Sequence, residues 1–160
     1  MKKVFKWMGI SLLLILTVIQ FIRPEKTNPP IDQAKTFQAQ MQVPENIASV
    51  LTKACYDCHS HQTNWPWYSH VAPVSWLLVQ DVKEGRKHLN FSAWGDYKES
   101  RKVEKLSQIA GEVTDGKMPM PIYLLMHPEA KLTDQEKKDL VNWCEGEADK
   151  INVPEDGDEN

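Results

Sequence analysis

The longest apolar run in the chain lies near its start: sixteen residues, Trp7 to Ile22, carry no charge. As a helix the run is roughly 24 Å long, a little under the ~30 Å hydrocarbon core of a bilayer. Lys6 and Arg23 at its two ends can snorkel their charged groups outward and make up the difference. The run is apolar all round, unlike a helix that buries one stripe against a soluble core. A cleaved signal peptide wants small residues after such a run, and "FIRPEK" offers bulky and charged ones, with no cysteine for lipid attachment. The pattern predicts an uncleaved membrane anchor over residues 1–22. Lys2, Lys3, Lys6 and the amino terminus precede the span, whereas Arg23 and Lys26, with Glu25 between them, follow it. That excess of cations keeps the N-terminal end in the cytoplasm. Everything from Arg23 onward is then exported, which in a bacterium means the periplasmic face of the inner membrane.

Past the anchor the pattern changes. Residues 23–43 hold Pro24, Pro29 and Pro30 among mostly polar side chains, and read as a tether with a short helical piece near Ala34–Met41. Pro44 and Glu45 are helix-start signals, and Ile47, Val50, Leu51 and Ala54 follow at helical spacing, so a helix is predicted over 45–54. The aromatic-rich stretch from Trp65 to Leu78 contains Pro66 and Pro73 and begins as an irregular loop. A helix is expected from about Pro73 through Arg86, with Val74, Leu77, Leu78 and Val82 on its apolar side. Asn90, Ser92 and Gly95 mark a break. Ser100 to Val113 is helical again, burying Val103, Leu106, Ile109, Ala110 and Val113. Pro119, Pro121 and Pro128 then interrupt regular structure. Thr133 and Glu136 stand in capping-box positions ahead of Leu140, Val141, Trp143 and Cys144, a terminal amphipathic helix over 134–147. No stretch alternates as a strand would. The predicted class is mainly α, with one domain over residues 44–149 and an acidic, disordered tail over 150–160.

Charge narrows the function. The chain has 19 basic and 22 acidic side chains; without Lys2, Lys3, Lys6 and Arg23, residues 24–160 keep 15 basic ones and a net charge of −7. Nucleic acid needs a basic face, and no Lys/Arg cluster provides one, so that class is excluded. Three cysteines are too few for a disulfide scaffold. Cys144, far from the other two, reads as a small buried hydrophobe.

The chemistry concentrates in "CYDCH", where Cys55 and Cys58 are followed directly by His59. A thioredoxin-like redox pair sits at a helix N-terminus after a strand, whereas here a helix precedes the cysteines and no strand is in sight. Structural zinc wants a second close ligand pair; His61, His70, His88 and His127 contain no two residues three to five apart. The remaining reading is covalent haem attachment: both thiols add across the two vinyl groups, and the next residue points its imidazole at the iron. An electron-transfer haem takes a sixth ligand, and a methionine thioether raises the potential. "GKMPMP" supplies Met118 and Met120, each followed by proline. His88 and His127 are the bis-histidine alternatives, and His70 stays open.

These residues resemble a class I cytochrome c: a helix ending in Cys-x-x-Cys-His, a later Met-Pro loop, and a closing helix packed across the first. More closely, the chain is similar to the bacterial haem-binding-domain family through "CYDCHSHQTNWPWYSHVAPVSWLL", "VKEGRKHLNFSAW" and "GKMPMPIYLLMHPEAKLT", over about residues 44–147. The resemblance implies one covalent haem c on Cys55 and Cys58, His59 as proximal ligand and Met118 as distal ligand, with Met120 second. It implies a single-electron carrier with redox partner proteins in the periplasm or inner membrane. The long insert between residues 60 and 115 departs from simple class I cytochromes; Arg86, Trp67 and Trp76 within it serve either the haem edge or ordinary packing. The rival reading is a haem enzyme, or a gas or peroxide sensor, with an open distal position.

Overall fold

The computed structural model describes residues 1–153; Pro154 onward, most of the predicted acidic tail, lies outside the described residues. Helix α1 (Lys2–Val18), extended by a 3₁₀ turn at Ile19–Phe21, buries none of its residues and is long and apolar enough to cross a membrane. The rest is helical too: α2 (Phe37–Gln40), α3 (Glu45–Ala54), α4 (Tyr56–His59), α5 (Val74–His88), α6 (Glu99–Thr114), α7 (Pro121–Leu124) and α8 (Asp134–Ala148). Short 3₁₀ turns link them, and no strand occurs among the described residues. The class is mainly α, as predicted.

The core forms where three amphipathic faces meet. α3 contributes Ile47, Val50 and Leu51, α6 contributes Leu106, Ile109, Ala110 and Val113, and α8 contributes Leu140 and Cys144. These are the periodic positions read from the sequence, and Cys144 is fully buried among them. α8 starts at the predicted capping box: the Thr133 hydroxyl accepts from Glu136 N–H at 3.2 Å, and the Glu136 carboxylate accepts from Thr133 N–H at 2.8 Å. Glu136 also receives Lys53 Nζ at 2.5 Å, which ties α8 to the end of α3 just before the cysteine motif.

Two segments differ from expectation. The stretch expected as a tether enters the core. Phe37 is fully buried, with T-shaped contacts to Phe91, Trp94 and Trp143 at centroid separations of 5.1, 4.6 and 5.7 Å. Prolines forbid a long helix here, yet a single aromatic anchor suffices to fix a stretch of irregular chain. Arg86 fastens the same stretch further up, donating from Nη1 to Thr27 O at 2.8 Å and from Nη2 to Asn28 Oδ1 at 3.0 Å. Phe37→Ala is expected to lower stability by about 3–5 kcal/mol, the range for removing a buried phenylalanine, read as a lower urea midpoint. A free tether would give almost no change.

The second difference is the face that α5 buries. The expected stripe of Val74, Leu77, Leu78 and Val82 is buried only at Val82; Ser75 and Val79 are buried with it, whereas Val74 and Leu77 stand 44% and 62% exposed. At Gly85 an added Cβ would lie 2.7 Å from Cys58 O, so α5 lies directly against the cysteine turn.

Candidate functional site

The local sequence shapes the cysteine turn. α3 ends at Ala54, Cys55 leaves helical geometry at φ −126° and ψ −37°, and α4 resumes for one turn through His59. His59 N–H and Cys58 N–H both return to Cys55 O, at 2.9 and 3.2 Å. Asp57, inside the motif, accepts from Asn64 N–H at 2.9 Å and from the Tyr123 hydroxyl at 2.8 Å. The turn is thus fixed to the loop that follows it and to α7.

His59 is oriented by α5. Its Nδ1 lies 2.9 Å from Gly85 O and 3.1 Å from Leu89 O. Both partners can only accept, so Nδ1 carries the hydrogen, and Nε2 is left as the free acceptor of the ring. Burial holds the imidazole below its ordinary pKa, in the neutral form that binds metal. Carbonyls at the C-terminal end of a helix carry partial negative charge, and a hydrogen bond of this kind raises the basicity of the other ring nitrogen.

One cavity of about 500 Å³ gathers the predicted residues, within the usual ~300–1,000 Å³ of cofactor sites. Its wall contains Cys55, Cys58 and His59 from the motif, Leu89 and Phe91 after α5, Ile109 and Val113 of α6, and Met118, Pro119 and Met120 beyond. α6 closes with Gly116 at φ 68°, a conformation glycine adopts without strain. Lys117 and Met118 N–H both return to Glu112 O, at 3.0 and 3.1 Å, which sets Met118 against the last turn of α6. The Met118–Pro119 bond is cis. Met120 is the N-cap residue of α7, with Pro121 next.

The thiols are unsuited to disulfide exchange. Cys55 and Cys58 are free, and burial pushes their pKa values up to about 12 and about 11, away from the thiolate that exchange requires.

Three of the other four histidines are otherwise engaged. His61 lies 2.9 Å from Asn90 Nδ2, and His70 is held against Lys26 Nζ at 2.8 Å. His127 meets the Tyr68 hydroxyl at 2.6 Å and stacks on Tyr123 at 4.2 Å. His88 does line the cavity, but it sits on α5 close enough to His59 for its charge to act on that ring. Arg86, Trp67 and Trp76 are absent from the wall: Arg86 binds Ser60 O and Thr63 Oγ1 at 2.7 and 2.8 Å, Trp76 donates to Ile22 O at 2.7 Å, and Trp67 is 72% exposed.

The sequence reading missed Lys105. It is 4% exposed and lines the cavity, with its Nζ 2.9 Å from Gln108 Oε1 and no carboxylate within salt-bridge distance among the described residues. A buried cation without a carboxylate in ion-pair contact is costly on its own; the same wall also carries Asp57, Asp81, Glu84 and Glu112. Position 105 falls on the core side of α6 between Lys102 and Leu106, so only its place in the amphipathic pattern gave it away.

Imidazole nitrogen, thioether sulfur, paired thiols, apolar walls and one buried cation form a donor set that fits haem. Comparison with known families agrees: the model described as Haem-binding domain matches residues 14–146. The chain belongs to that family and is a haem-binding protein. No curated protein and no solved structure matches it.

Proposed function

We propose that the chain is a membrane-tethered, periplasmic cytochrome of the c type that passes single electrons between redox proteins of the periplasm or inner membrane. The observation that carries this reading is His59, locked as the Nδ1–H form by the carbonyls of Gly85 in α5 and Leu89 just after it, in one cavity wall with Cys55, Cys58 and Met118. Bound haem supplies a one-electron iron couple. The chain does the rest. Cys55 and Cys58 would hold the macrocycle by thioether bonds, and His59 Nε2 and Met118 Sδ would ligate its iron. Leu89, Phe91, Ile109 and Val113 exclude water, and so help set the potential. Lys105 would offer its charge to the anionic carboxylates of the cofactor. Charge on either side of α1 orients the anchor with the haem domain outside the cytoplasm.

The test is attachment. In protein made with its cytochrome maturation machinery, the pigment should stay with the polypeptide in acidified acetone, and the alkaline pyridine spectrum should be that of two thioether links. Cys55→Ser or Cys58→Ser should shift that spectrum to one link. A pigment extracted freely from the parent chain overturns the c-type reading. Lys105→Met, which keeps length and removes charge, is expected to lower the midpoint potential by on the order of tens of millivolts, as for one unit charge at ~10 Å in an effective dielectric of ~20. Redox titration followed in the visible band checks it.

A further inference from the structure

Large apolar side chains that stay exposed are unevenly placed. Among the described residues beyond the anchor they are Trp67, Val71, Val74 and Leu77 in one segment, Ile122, Leu125 and Met126 in another, and Val153 near the end. Singly scattered, such residues need no explanation; concentrated, they mark a surface that meets lipid or protein. The two segments are joined: Tyr68 Oη lies 2.6 Å from His127 Nε2, and His127 stacks on Tyr123 of α7.

The anchor settles which of the two it meets. Gln20, in the 3₁₀ turn that ends the apolar helix, donates from Nε2 to Ala72 O at 3.0 Å and accepts from Ala72 N–H at 3.0 Å. Trp76 Nε1–H reaches Ile22 O at 2.7 Å, and Lys26 Nζ lies 3.2 Å from Ser69 Oγ. The last turn of the span is thereby fastened to residues 69–76, the segment that displays Trp67, Val71, Val74 and Leu77. A segment bonded to the end of a membrane helix sits at the level of the lipid headgroups, where tryptophan and aliphatic side chains are favoured.

We infer that the haem domain rests on the bilayer, with Trp67, Val71, Val74 and Leu77, and beside them Ile122 of α7 and Leu125 just after it, immersed in the lipid interface. The inference rests on the reading of α1 as a membrane anchor. It turns the α7 side of the cavity, which carries Met120 and Tyr123, toward the membrane, and leaves α8 in water.

The full-length haem protein in phosphatidylcholine–phosphatidylglycerol vesicles tests it. Single cysteines replace Leu13, Leu77, Leu125 or Gln135 and carry a nitroxide; the parent chain, labelled alike, gives the background. Collision of the label with oxygen is compared with collision with a water-soluble nickel chelate, with the haem reduced. Oxygen should dominate at Leu13, Leu77 and Leu125, and nickel at Gln135 on exposed α8. If Leu13 reads lipid while Leu77 and Leu125 read water, docking fails and the anchor stands; that outcome leaves the apolar face to a protein partner. If Leu13 also reads water, the anchor fails and the inference falls with it.

Discussion

Gly85→Ala is expected to destabilise the folded domain and to loosen the hold on His59. In a helix interior alanine is favoured over glycine by about 1 kcal/mol, so intrinsic propensity alone predicts a gain. Against it stands a Cβ placed 2.7 Å from Cys58 O, 3.2 Å from Cys58 C and 3.3 Å from Cys58 Cβ. The obstacle is backbone at the cysteine turn, which cannot swing aside as a side-chain tip can. Overpacking of this kind costs typically about 1–3 kcal/mol, and relieving it means moving α5 away from α4. The same shift draws Gly85 O and Leu89 O away from His59 Nδ1. A net loss of about 1–2 kcal/mol in urea unfolding should therefore come with a weakened proximal ligand, visible as a shifted Soret band or a changed midpoint potential. Gly111→Ala, in α6 with nothing within 4 Å of the added Cβ, is the matched control. There the helix gains about 0.5–1 kcal/mol and the spectrum stays as it was. Equal and favourable effects at both sites would mean that α5 does not press on the cysteine turn.

That contact also shows where sequence reading stopped. Boundaries of α3, α6 and α8 were legible because cap residues and 3.6-residue periodicity are local signals: Pro44, the Thr133–Glu136 box, and Leu106, Ile109, Ala110 and Val113 on one face. The face of α5 was misread because it buries Ser75 and Val79 along with Val82 and meets the cysteine turn at Gly85, which has no side chain to signal a contact, while Val74 and Leu77 look outward. Phe37 was hidden in a proline-rich stretch, where a single buried ring has no period to reveal it. Of the predicted site residues, Cys55, Cys58 and His59 announce themselves by adjacency, and Met118 by its loop. The groups that orient them do not. His59 depends on carbonyls 26 and 30 positions away, and a carbonyl is the same at every residue. Asp57 and Tyr123, 66 positions apart, join the motif to α7 through a pairing that only the fold creates.

Met118→Ala is expected to convert a six-coordinate haem into one with an open position. The sulfur–iron charge-transfer band should vanish, the ferric form should turn high-spin, and carbon monoxide should bind the ferrous form readily. The potential should fall by a sizeable fraction of the roughly 0.8 V over which axial ligands set haem potentials, since thioether favours the reduced metal. Met120→Ala should keep the band. Geometry brings both methionines to the cavity wall but holds them differently. Met118 is set by its N–H to Glu112 O and by buried Pro119 behind it. Met120 instead begins α7, its carbonyl accepting from Tyr123 and Leu124 N–H at 2.9 and 3.2 Å. A methionine fixed against α6 moves with the haem wall, whereas one at the head of α7 moves with the segment placed at the lipid interface. If the band instead disappears only in Met120→Ala, the distal role passes to α7, and membrane contact would bear directly on the iron. If neither variant changes the spectrum because the parent is already high-spin and gas-binding, the carrier gives way to an enzyme or sensor, with the same proximal histidine and the same two thiols.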